Sequence, residues 1–157
     1  MLKIPSKYSI NISIAISVVL FIICIAGIVI MPTLVDILIN IPDTLGNRDE
    51  ITGAGRVFVH CMAYLVLASV MLADVLMFML LRRVKDGYVF TAASVALIRG
   101  VSWCCFLLCA AFCGLGIYFQ LAFIVAFAAT FLGTCLRVVK NVIEEATQIK
   151  CENDLTV

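Results

Sequence analysis

The sequence predicts an all-α integral membrane protein, a bundle of four transmembrane helices. Two observations lead to this fold class: the composition, and the spacing of long uncharged stretches. Of the 157 residues, 64% are hydrophobic and only 13% are charged, and the mean hydropathy is +1.19. Soluble domains are about half apolar and about a quarter charged. The composition therefore excludes a soluble enzyme, a secreted disulfide scaffold and a disordered chain.

The first two predicted spans are separated by a polar, glycine-containing segment. Residues 10–35 are almost wholly apolar, longer than the ~20 residues that cross a hydrocarbon core, and we expect an uncleaved helix ending near Met31-Pro32. Residues 57–81 form the second span, which is interrupted only by His60 and Asp74. Both stretches are long enough to span a bilayer.

A further pair of spans is predicted between residues 88 and 136, where Arg99 is the one charged residue. As a single helix this stretch would be roughly 70 Å long, about twice the bilayer core, so it must fold back once. Gly114-Leu115-Gly116 is the best place for the turn. The third and fourth spans are therefore predicted at 91–113 and 117–139.

The basic residues predict the orientation. With the N-terminus inside, the cytoplasmic segments hold eight of the eleven, the external segments two, and the third span Arg99. This bias indicates that both termini are cytoplasmic. Apolar residues then recur at three and four positions beyond the fourth span, which predicts a cytoplasmic helical tail over 140–152. The whole chain, 1–157, is predicted to be a single membrane domain. The cytoplasmic basic residues are Lys3, Lys7, Arg82, Arg83, Lys85, Arg137, Lys140 and Lys150, and the external ones are Arg48 and Arg56.

Two segments resemble a bacterial membrane family catalogued as domain of unknown function 2975. One is the opening of the third span, Phe90-Thr91-Ala92-Ala93-Ser94-Val95-Ala96-Leu97-Ile98-Arg99. The other is the ending, Asn141-Val142-Ile143-Glu144-Glu145-Ala146-Thr147-Gln148-Ile149-Lys150-Cys151-Glu152-Asn153-Asp154-Leu155-Thr156-Val157. The chain departs from the family pattern at Val89-Phe90 and Ser94, where members often carry a Pro-Phe pair and an Asn.

The resemblance implies a multi-pass protein of the bacterial cytoplasmic membrane. It implies no established reaction, ligand or catalytic residue. Members of the family are often encoded beside a small helix-turn-helix DNA-binding protein, which implies a regulatory pairing.

Asp74 and Arg99 are the predicted intramembrane ion pair. Each lies eight residues from the cytoplasmic end of its span, so both are roughly 12 Å inside that boundary by helix rise. Charges at such depth usually face other helices and form pairs. The pair is interpreted first as a structural contact that stabilises the packing of the second span against the third. A proton or ligand site is the alternative.

His60 and the cysteines invite further functional interpretations. His60 is roughly 21 Å from Asp74 along the second span, so it is interpreted as an interfacial residue, with a polar relay as the alternative. Cys105, Cys109 and Cys113 recur at every fourth position. Without a Cys-x-x-Cys motif, they are interpreted as a packing seam, as is a stripe of small residues in the fourth span, and no metal or cofactor is expected. These small residues are Ala122, Ala126, Ala129, Thr130, Gly133 and Thr134.

The sequence carries no catalytic motif, so no enzyme activity and no direct nucleic-acid binding are expected. The leading hypothesis is a regulatory or interaction protein that engages a soluble cytoplasmic partner, such as a DNA-binding regulator. The alternative is a small transporter or channel subunit, working as a homo-oligomer, that uses Asp74, Arg99 and His60. The expected partner surface comprises Arg82, Arg83, Lys85, Glu144, Glu145 and Lys150.

Overall fold

The computed structural model describes residues 6–40, 51, 53–88 and 90–154. Within these ranges the chain forms four helices: α1 (Ser6–Asn40), α2 (Gly53–Lys85), α3 (Ala92–Gly116) and α4 (Ala122–Asp154). All four are long and apolar enough to cross a membrane. The all-α class predicted from the sequence is thereby confirmed, with four helices of the length and apolarity that membrane spans require.

Helix α1 continues through Pro32 to Asn40, so the predicted end near Met31-Pro32 is wrong. Proline removes one backbone hydrogen bond, a loss that transmembrane helices tolerate. Packing stabilises the continuation, because Val35 is buried beside Val59 and Ala63 of α2. The apolar contact with α2 thus outweighs the local helix-breaking signal.

The connection from α2 to α3 is a tight turn. Gly87 has a positive φ of 83°, and the amide of Tyr88 donates to the carbonyl of Arg83 at 2.9 Å, which is the Schellman arrangement that ends helices. Thr91 then caps α3 by accepting a hydrogen bond from the amide of Ser94. Ser94 donates to the carbonyl of Tyr88 at 2.8 Å. Its short hydroxyl closes the turn.

The turn between α3 and α4 comes later than predicted. Gly114 and Gly116 belong to α3, and residues 117–121 make the connection. Gly116 provides a close approach instead of a turn: a Cβ there would lie 2.7 Å from the ring of Phe123. The predicted turn at Gly114-Leu115-Gly116 is therefore wrong, because the chain reverses only after Gly116.

The helices pack in chain order. Among the described residues α1 contacts α2, α2 contacts α3, α3 contacts α4, and no other pair of helices is in contact. The four-helix bundle expected from the sequence is therefore an open row, in which α1 and α4 each have one neighbour. Much of the apolar surface stays uncovered as a result, with Val29 of α1 79% and Phe127 of α4 76% exposed.

The end of the row where α2 passes to α3 and where α4 finishes is called the basic end below, after Arg82, Arg83 and Lys85 in the last turn of α2. The end where α3 passes to α4 is called the opposite end. A small apolar core joins α1, α2 and α3 there. Its members are Val35, Val59 and Ala63, with Met31, Ile39, Leu115, Tyr118 and Phe119 packed around them.

Candidate functional site

Asp74 lies in the α1–α2 interface and is hydrogen-bonded to α1. The buried hydroxyl of Ser17 donates to Asp74 Oδ1 at 2.6 Å. A hydroxyl–carboxylate bond of this length belongs to the short, charge-assisted class. The intramembrane carboxyl group is therefore paired with a neutral donor from a helix that the sequence analysis did not connect to it.

Arg99 lies on the other side of the row, against α4. Its Nη2 is 3.7 Å from Glu144 Oε1, and Glu144 also pairs with Lys140 one turn earlier in its own helix. The predicted Asp74–Arg99 ion pair is thus wrong: Asp74 faces α1 and Arg99 faces α4. Helix rise gives the position of each charge along its helix, but it does not give the direction in which each side chain leaves that helix.

Arg137 forms a second cationic contact between α3 and α4. Its guanidinium carbon is 5.1 Å from the ring centroid of Trp103 and 5.0 Å from that of Phe106. The two rings are themselves arranged edge to face. Because both rings are within cation–π range, they hold the guanidinium in a defined position. The sequence analysis missed this contact, although Arg99, Trp103 and Phe106 follow one another at helical spacing.

These residues form one continuous patch at the basic end. Two facing stripes meet there, one at positions 99, 103 and 106 of α3 and one at positions 137, 140 and 144 of α4. The patch holds three cations and one carboxylate. We refer to it as the α3–α4 cationic patch, and its six members are Arg99, Trp103, Phe106, Arg137, Lys140 and Glu144.

Between this patch and the opposite end, α3 and α4 approach closely through small residues. Thr130 Oγ1 is 2.9 Å from Cys109 Sγ, and a Cβ on Gly133 would lie 3.2 Å from the Cβ of Cys105. Ser102 is buried and donates to the carbonyl of Gly133 at 3.3 Å. The interpretation of these cysteines as a packing seam is confirmed at positions 105 and 109, whereas Cys113 is exposed.

His60 connects α2 to α1 at the opposite end. Its Nδ1 lies 2.9 Å from the carbonyl oxygen of Arg56, and its Nε2 lies 4.0 Å from Asp36 Oδ1 of α1. The structure does not bring His60 near Asp74, which follows fourteen residues later in the same helix. The Ser17–Asp74 and His60–Asp36 contacts thus lie at different levels along α1 and α2.

The residues of the predicted partner surface differ in their availability. Arg82, Arg83 and Lys85 are exposed at the end of α2, and Glu145 is exposed on α4. Glu144, in contrast, is engaged with Lys140 and Arg99. Lys150 lies within α4, but its side chain is outside the described residues.

Four apolar helices in an open row, joined by a few polar contacts between neighbours, define a polytopic α-helical membrane protein. The chain belongs to the family described as Protein of unknown function (DUF2975), whose model matches residues 5–157. The resemblance inferred from the sequence is thereby confirmed. No curated protein and no solved structure matches the chain.

Proposed function

We propose that this protein is a small regulatory protein of the bacterial cytoplasmic membrane. In this proposal the basic end faces the cytoplasm, and the protein engages a soluble partner there. A helix-turn-helix transcription regulator is the first candidate partner, as the family resemblance implies. Both termini are then cytoplasmic.

One observation supports this proposal most strongly: α4 does not end with its apolar stretch. It continues as unbroken helix to Asp154, about 15 Å beyond Glu144 by helix rise. A helix that leaves the bilayer presents side chains to a soluble protein, and the exposed Glu145 lies on this extension, residues 145–154. A soluble partner could therefore contact α4 without entering the membrane.

The exposed charges divide the proposed surface into two parts of opposite sign. The end of α2 carries three cations, whereas the extension carries acidic residues beside Lys150. A partner with a complementary pattern would bind in one orientation, because electrostatic complementarity sets specificity and association rate. Glu144 is expected to contribute little to such binding, since it is already paired within the protein.

Co-purification of a helix-turn-helix DNA-binding protein with this chain from native membranes tests the proposal. Glu145→Lys, or Arg82→Gln combined with Arg83→Gln, should weaken recovery of the partner about tenfold, because each change removes charge complementarity. Glu144→Gln is the matched control and should leave recovery unchanged. Full recovery after deletion of residues 142–157 would contradict the proposal.

The orientation is tested separately by thiol labelling. A membrane-impermeant maleimide should reach Cys151 only after the cells are opened, whereas a cysteine introduced by Asn47→Cys should react on intact cells. Replacement of the other seven cysteines by alanine or serine provides the background for both measurements. Labelling of Cys151 on intact cells would place the basic end outside and overturn the proposed cytoplasmic partner.

The alternative function, a transporter or channel subunit working as a homo-oligomer, is supported by the intramembrane Asp74–Ser17 contact. However, the three residues on which it depends do not converge, because Arg99 faces α4 and His60 lies at the opposite end. Ion or proton flux in proteoliposomes that disappears with Asp74→Asn would favour this function over the regulatory one.

A further inference from the structure

The α3–α4 cationic patch carries an inference that is independent of the regulatory proposal. We propose that it binds the phosphate of an anionic phospholipid, with the lipid lying against α3 and α4 at the basic end. The recognised chemistry is a phosphodiester that bears one negative charge. Three features of the patch support this assignment: its charge balance, its depth, and the way its cations are held.

The charge balance leaves the patch positive. Arg99, Arg137 and Lys140 are neutralised in part by a single carboxylate, that of Glu144. The Arg99 side chain remains 56% exposed, and Arg137 is exposed as well. Basic clusters between transmembrane helices at the cytoplasmic side are the usual sites for acidic lipid headgroups. The patch therefore keeps a net charge of +2, which is enough to bind one phosphodiester of charge −1.

The depth of the patch matches a headgroup. Arg99 is seventeen residues from the end of α3 at Gly116, roughly 25 Å by helix rise, and Arg137 is fifteen residues from the start of α4, roughly 22 Å. A hydrocarbon core is ~30 Å thick, and long cationic side chains extend toward the interface. Trp103, 60% exposed, lies about 6 Å deeper than Arg99 by helix rise, at the level of the upper part of the acyl chains.

The cations are ordered before any lipid arrives. The rings of Trp103 and Phe106 hold Arg137, and Glu144 links Arg99 to Lys140. A preordered site loses less side-chain entropy on binding than free surface lysines would lose. Arg82, Arg83 and Lys85, by comparison, are exposed, and among the described residues only Arg82 has an aromatic contact, with Phe78 of its own helix. The ordered patch is therefore the better lipid site.

Trp103 is the only tryptophan in the chain, so its fluorescence reports on the patch directly. The full-length protein is reconstituted in vesicles that contain phosphatidylglycerol or phosphatidylcholine brominated near the headgroup end of the acyl chains. At equal mole fraction the brominated phosphatidylglycerol should quench Trp103 more strongly, with a relative association about fivefold higher for the acidic lipid. Equal quenching by the two lipids would overturn the proposal.

Variants separate the patch from general surface charge. Arg137→Gln should bring the preference close to one, and Arg99→Gln should give the same direction of change if the first variant fails to reconstitute. Arg83→Gln removes the same charge at the same end but outside the patch, so the preference should remain. An equal loss in this control would contradict a defined site.

Glu144→Gln should change the preference for phosphatidylglycerol in the opposite direction. It removes the carboxylate that competes with phosphate, so the preference for phosphatidylglycerol should rise about twofold to fivefold. A purely structural role of Glu144 would leave the preference unchanged or lower it, and either result would count against the proposal. Inorganic phosphate, compared with chloride at equal ionic strength, should not relieve the quenching. Relief by phosphate would indicate a site for the free anion and would overturn the assignment to lipid.

Discussion

The α1–α2 and α3–α4 interfaces both join apolar helices, but different kinds of contact hold them together. The described part of α1 meets α2 largely through apolar side chains, with polar contacts at Ser17–Asp74 and His60–Asp36. Helix α4 meets α3 through small residues, a buried serine and a group of charged and aromatic side chains. Lipid solvates both outer helices equally well, so apolarity alone does not select a neighbour. Polar contacts and the close approach of the helices determine which helices are neighbours.

The comparison predicts that a bulky residue is tolerated less well between α3 and α4 than between α1 and α2. Gly133→Val should lower the free energy of unfolding by about 2 kcal/mol, because the added atoms would meet the Cβ of Cys105 and overpack the seam. The measurement is reversible unfolding in mixed micelles.

Gly27→Val is the matched control on α1. A Cβ at position 27 would lie 3.4 Å from Leu67 Cδ1, an ordinary contact with the movable end of a side chain. Gly27→Val should lower the free energy of unfolding by less than about half as much as Gly133→Val does. Equal losses would mean that the two interfaces are packed with equal tightness, contrary to the comparison.

A smaller effect is expected from the polar contact between α1 and α2. Ser17→Ala should destabilise the protein by about 1–2 kcal/mol, because it leaves the Asp74 carboxyl group without its donor inside the membrane. Ser69→Ala is the control: this hydroxyl bonds the carbonyl of Leu65 in its own helix, and its loss should be clearly smaller.

A double-mutant cycle identifies the partner of Asp74. Ser17→Ala and Asp74→Asn should be non-additive by at least about 0.5 kcal/mol. Asp74→Asn and Arg99→Gln should be additive, because these two residues contact different helices. Coupling in the second pair but not in the first would restore the ion pair predicted from the sequence.

The smallest effect should come from the two ion pairs that Glu144 forms, with Arg99 and with Lys140, next to the extension. Such pairs contribute little to global stability, so Glu144→Gln is expected to increase the rate of tryptic cleavage near Arg137 and Lys140 only about twofold, while the unfolding midpoint stays nearly constant. Glu145→Gln removes the same charge from the exposed neighbouring position and should leave the cleavage rate unchanged. A faster rate in Glu145→Gln alone would show that Glu144 does not anchor the extension.

The sequence was sufficient to predict the four spans because each depends on one strong physical requirement, the hydration cost of charges and peptide groups in hydrocarbon. The partner of Asp74 depends instead on the rotation of each helix about its axis. In an apolar helix such as α1, hydrophobic periodicity does not define that rotation. Ser17 was therefore not distinguishable in advance from the other serines of α1.

The α3–α4 cationic patch was partly visible in the sequence. The spacing of Arg99, Trp103 and Phe106 places them on one helix face, and Lys140 and Glu144 form a standard pair one turn apart. The pairing of these two faces required the register of α3 against α4. That register is determined by Gly133 and Cys105, whose importance follows from close approach and not from charge.

The chain-order contacts have a consequence for biosynthesis. Every interhelical contact in the described chain joins consecutive helices, so each helix after α1 can pack against one neighbour that has already been made. Assembly can then proceed hairpin by hairpin during translation, without waiting for the C-terminus. Such local connectivity is associated with fast folding, and each hairpin can close as soon as its second helix is complete.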